Sequence, residues 1–150
     1  MMKRMFYLLL ATILCLVIPA SSIAASKAKA TTPEQKYKVT VSYSVKKVSN
    51  NHVGNSWVYI IKSGDTSIKK GKSATFELTG ADALELICQA TENDSYPDVG
   101  TSTITINMAD LKEGKNTVTT TVIVTEDRGR YAGNTAEYKF TVTIKVKPIQ

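Results

Sequence analysis

The residues of this chain best able to do chemistry are five carboxylates and two arginines crowded into two short stretches. Glu92, Asp94 and Asp98 lie in Glu92-Asn93-Asp94-Ser95-Tyr96-Pro97-Asp98-Val99-Gly100, and Glu126-Asp127-Arg128-Gly129-Arg130-Tyr131 supplies the others. A hard cation such as calcium takes about six to eight oxygen ligands, and loops bearing several carboxylates can supply them. Glu92, Asp94, Asp98 and Asp127 are therefore candidate metal ligands. The competing reading is ordinary loop chemistry, in which Asp, Asn and Ser cap strands and end their pairing. Arg128 and Arg130, beside Tyr131, can grip a phosphate or carboxylate through paired N–H donors. They can equally pair with Glu126 or Asp127 in their own loop. Tyr96, Tyr131 and Asn55 complete the set of candidate ligand-binding residues.

Catalytic motifs are scarce. His52 is the sole histidine and has no evident nucleophile or metal partner. There is no His-Glu-x-x-His, no activated cysteine and no glycine loop of the phosphate-cradling kind. An acid–base pair of carboxylates is the only catalytic arrangement available, so the chain reads as a non-enzyme, with a small secreted hydrolase as the alternative.

The elements that must position these groups are strands. In 36–47 the odd positions Tyr37, Val39, Val41, Tyr43 and Val45 are apolar and the even ones are Lys, Thr or Ser. That alternation is the mark of a half-buried strand. It recurs in 56–62, 66–70, 73–79, 83–91, 102–108, 116–125 and 135–147, separated by turn residues such as Ser63-Gly64-Asp65 and Gly71-Lys72. No segment holds a helical period, and Thr and Val predominate as strand formers. The expected fold is all-β, an eight-stranded antiparallel sandwich. If each strand reverses the last, the loops at 48–55, 71–72, 92–101 and 126–134 share one end, and the acidic and arginine-bearing stretches meet there. Trp57 opens a strand beside this end and is expected in the core, with a tip position as the alternative. Lys69, Lys70 and Lys72 read either as an anion-binding face or as protection of an edge strand.

Residues 83–114, an alternating strand, the carboxylate loop, a second strand and the turn Ala109-Asp110-Leu111-Lys112-Glu113-Gly114, resemble the third calcium-binding loop of the C2 domain family. In that resemblance Glu92 and Asp94 match the paired acidic positions, and Asp98 before Val99-Gly100 matches the acid preceding the family's glycine. The first loop, Ser49 to Asn55, carries amides where the family has aspartates. The resemblance implies a C2-like sandwich of the permuted topology over 36–150. It also implies weak calcium-dependent binding of an anionic surface, lipid or cell-envelope polymer, through the tip loops. The alternative is an immunoglobulin-like structural or adhesive sandwich binding protein or glycan without metal.

The N-terminus sets the compartment. Lys3 and Arg4 precede an apolar run from Met5 to Ala20, followed by small residues at Ser21, Ser22, Ala24 and Ala25. This is the pattern of a secretory signal peptide over 1–25, and the run is shorter than the ~20 apolar residues of a membrane span. Residues 26–35 then read as a flexible leader, and the mature protein as secreted or associated with the cell surface. Losing Lys3 and Arg4 trims the formal net charge of +6 by two. Moderate basicity in an exported protein points to an anionic surface, a glycan or a protein partner rather than nucleic acid. Cys15 leaves with the signal. Cys88, in phase with Leu84, Leu86 and Ala90, reads as a small buried hydrophobe.

Overall fold

A computed structural model describes residues 34–150; the stretch read as a signal peptide and nearly all of that read as a leader lie outside the described residues. Period-two patterning builds eight strands: β1 (Lys36–Asn50), β2 (Trp57–Ser63), β3 (Thr66–Lys69), β4 (Ser73–Thr79), β5 (Ala83–Glu92), β6 (Val99–Asn107), β7 (Gly114–Thr125) and β8 (Thr135–Pro148). They form two four-stranded antiparallel sheets, ordered β4-β1-β8-β7 and β3-β2-β5-β6, packed face to face as a sandwich. No helix among the described residues is long and apolar enough to cross a membrane.

The inward phase of each strand makes the core. Val39, Val41, Ile61, Leu86, Cys88, Val122, Val124, Phe140, Val142 and Ile144 are buried between the sheets. Tyr43 stacks on Phe140 with ring centroids 5.6 Å apart, and its hydroxyl donates to the Tyr59 carbonyl at 2.7 Å. Tyr59 meets Tyr138 edge-on at 5.2 Å. Cys88 is buried as expected, and desolvation pushes its thiol up to about 11. One long edge of the sandwich closes at Gly100, where any Cβ would overlap the Ile123 backbone carbonyl. Beside it the Ser102 and Thr120 hydroxyls share a hydrogen bond of 2.7 Å across the two sheets.

Two boundaries differ from the alternation pattern by three residues, the others by two at most, and both of the larger shifts bear on the tip. β1 runs on to Asn50 through a bulge between Lys47 and Ser49, which swings Val48 out to solvent. An inserted residue reverses the phase of a strand. Lys47 and Asn50, three apart, therefore both pair with inward-phase residues of β8, Tyr138 and Ala136. β6 begins at Val99 rather than 102, because the Glu92 amide donates to the Asp98 carbonyl at 2.9 Å and shortens the intervening loop.

Candidate functional site

The connections β1–β2, β3–β4, β5–β6 and β7–β8 share one end of the sandwich, as alternation of direction requires. Cross-loop contacts knit three of them together. The Asn93 amide donates to the Ser56 carbonyl at 2.7 Å, and the Asp127 amide to Asp98 Oδ1 at 3.3 Å. The Arg128 guanidinium sits 4.6 Å from the centre of the Tyr96 ring.

The β1–β2 loop is organised by Asn50, which the sequence reading passes over. Its Oδ1 accepts from the Val53 amide at 2.9 Å, and its Nδ2 donates to the Gly54 carbonyl at 2.8 Å. His52 and Gly54 both take positive φ, 60° and 86°, so the chain reverses tightly enough to drive Val53 into the core. The Gly54 carbonyl also receives the Trp57 indole N–H at 3.3 Å. Trp57 is half-buried and lies 4.6 Å from the Tyr138 ring, at once the upper edge of the core and the foundation of the tip.

The carboxylates divide. Glu92 and Asp98 are the two buried charged residues among those described. Glu92 is the last inward-phase residue of β5, and its carboxyl packs directly against Gly54, where a Cβ would have no room. Desolvation raises its pKa above the ordinary value; Asp94 and Asp98 nearby raise it further, while the Ser56 backbone N–H pulls the other way. Asp94 is exposed and turned on its own loop, its Oδ1 accepting from the Tyr96 amide at 2.6 Å. Asp127 is exposed and approaches Asp98 through its backbone. Among the described residues no three His, Cys, Asp or Glu side chains stand together in a group able to hold a metal ion.

What is open to solvent is a groove of about 490 Å³ between the β1–β2 and β7–β8 loops, lined by Lys47, Asn50, His52, Asn55, Glu126 and Tyr131, with Gly54 at its floor. His52 and Tyr131 stack at 4.7 Å and give the groove a fixed aromatic wall. Of the sequence-chosen residues, Asn55 and Tyr131 line it. Arg130 lies against Tyr131 at 5.4 Å, and Tyr96 and Arg128 face one another outside it. Lys47, His52 and Glu126 join through the bulge and the loop crossing, which no single stretch of sequence reveals. Compared with models of known protein families and with curated proteins, the chain matches none.

Proposed function

We propose that the protein is an exported, non-catalytic binding module that takes a glycan in the tip groove without a metal ion. The observation that carries this is the composition of the groove wall: a stacked aromatic pair beside two amides, a lysine and a glutamate. Aromatic rings offer an apolar surface to the C–H face of a sugar, and the Asn55 amide offers both donors and an acceptor to its hydroxyls, while Asn50 holds the loop in shape. The buried Glu92 and Asp98 do not line this groove, and Glu126 alone brings a carboxylate to it, which leaves the paired acids of a hydrolase without support. The C2-like and immunoglobulin-like readings both keep their binding loops at one tip, and the metal-free form fits these residues better than the calcium-dependent one.

The test is retention of the protein on insoluble cell-wall polysaccharide in excess chelator and in millimolar calcium. Equal retention in both is expected, with Tyr131→Ala and Asn55→Ala each weakening it about tenfold, roughly the worth of one well-made contact. Retention that requires calcium, or that survives both substitutions, would overturn the proposal.

A further inference from the structure

The outer face of the β4-β1-β8-β7 sheet carries a second feature, built from the opposite phase of β1 to the one that lines the groove. Its register sets lysine directly opposite lysine three times: Lys38 with Lys147, Lys46 with Lys139, and Lys115 with Lys145. All six side chains are exposed. Directly opposed side chains in an antiparallel pair lie about 5 Å apart at Cβ, and like charges there destabilise the sheet. The carboxylates on this face are few. Glu77 stands opposite Lys38 on β4, and Glu137 lies beyond Lys139 opposite Ile123. Lys36 adds a further positive charge at the start of β1.

Between the lysine pairs run two rows of hydroxyls, Ser42–Thr143–Thr117 and Ser44–Thr141–Thr119. At the β4 side the face dips into a hollow of about 490 Å³ where Thr40, Ser42 and Ser73 meet Lys72 and Lys145. From Lys139 to Lys147 is eight residues of strand, roughly 27 Å at the usual rise. The face is long, and it alternates cations with hydroxyls.

We propose that this face binds a linear acidic polysaccharide, lysines meeting its repeated carboxylates and the Ser/Thr rows meeting its hydroxyls. The opposed lysine pairs are the warrant. Each is a like-charge contact within the face, offset directly only at Lys38 by Glu77, and a chain of regularly spaced anions relieves all three together. A membrane surface fits less well, because the exposed large apolar residues Val58, Tyr96, Val99 and Tyr131 belong to other strands and loops, and this sheet exposes only Val48, at the β1 bulge, and Ile123, near the end of β7.

The probe is polygalacturonate, titrated at low ionic strength against three proteins. The first is wild type. The second carries Lys115→Gln, Lys139→Gln and Lys147→Gln, one from each pair. The third carries Lys62→Gln, Lys69→Gln and Lys112→Gln, with the same change of net charge placed elsewhere. Expected are binding by wild type that falls steeply with salt, a loss of about tenfold or more in the face variant, and near-wild-type binding in the control. The face variant should melt close to wild type, since each change removes a lysine–lysine repulsion and only that at Lys139 also removes the attraction of nearby Glu137. With wild type alone, polygalacturonate should raise the melting temperature more than galacturonic acid at equal carboxylate concentration. Equal weakening in both variants would reduce the effect to net charge and overturn the proposal. Undiminished binding by the face variant, polymer and monomer acting alike, or capture by phosphatidylglycerol vesicles but not by the polymer would overturn it as well.

Discussion

Gly54 is the residue on which the tip turns, and replacing it with alanine separates backbone strain from crowding. Its φ of 86° lies where an L side chain is disfavoured, at a cost of about 1–2 kcal/mol. The new Cβ would also fall on Cγ, Cδ and Oε1 of Glu92. Glu92 is buried at the end of β5, paired with Trp57 across the sheet and hydrogen-bonded through its amide to Asp98. Moving its side chain aside means displacing a group only 4% exposed, and overpacking of this kind typically costs about 1–3 kcal/mol. Gly54→Ala should therefore cost about 3 kcal/mol in all. In a Glu92→Ala background the collision is gone and only the backbone part, about 1–2 kcal/mol, should remain. Urea denaturation of wild type, both single variants and the double variant yields the coupling directly. A coupling within about 0.5 kcal/mol of zero would show that Glu92 does not pack on Gly54 and would refute the sealed position assigned to this carboxylate.

Two further outcomes follow from buried groups. Because Glu92 has a raised pKa in the fold, its protonated form contributes stability that is full below its ordinary value of 4.5 and is lost as pH rises through the folded value. Wild type should lose stability over that window, whereas Glu92→Gln should flatten the profile and match or exceed wild type at pH 7; identical profiles in urea denaturation from pH 4 to 7 would contradict the assignment. Cys88 should resist a bulky thiol reagent under native conditions and react once unfolded, and Cys88→Ala should cost on the order of 1 kcal/mol through lost packing. Rapid labelling of the native protein would place Cys88 outside the core.

The architecture was legible because strand alternation reports two things at once, where a strand runs and which side faces inward. Tyr37 through Val45 and Leu84 through Ala90 each announce both, and glycine- or aspartate-bearing turns punctuate them. Counting reversals then placed the three long loops and the 71–72 turn at one end. What alternation leaves open is adjacency. Nothing in β1 says that it pairs with β4 on one side and β8 on the other, since those partners are set by the packing of the whole sandwich. The bulge at Lys47–Ser49 was hidden for a related reason: inserting one residue conserves composition and changes only phase.

The site was legible only to the level of the loop, and strand phase explains where reading stopped. Glu92, Asp94 and Asp98 look equivalent as neighbours in sequence, yet Glu92 continues the inward phase of Leu84, Leu86, Cys88 and Ala90 and is carried into the interior. Asp94 lies past the strand end and spends its carboxylate on the nearest free amide, that of Tyr96. Arg128 likewise finds the Tyr96 ring across the loops before it finds an anion. Charged residues at a strand end are thus sorted by phase into buried groups and loop supports. The surface left for a ligand is made by whichever residues the sorting exposes together. Here those are Lys47 and Asn50, brought into one phase by the bulge, with His52 and Tyr131 stacked across from them. The lysine pairs on the sheet face obey the same logic. Each strand taken alone shows an ordinary solvated alternation of Lys with Thr or Val, and only the register turns three such strands into a band of directly opposed lysines.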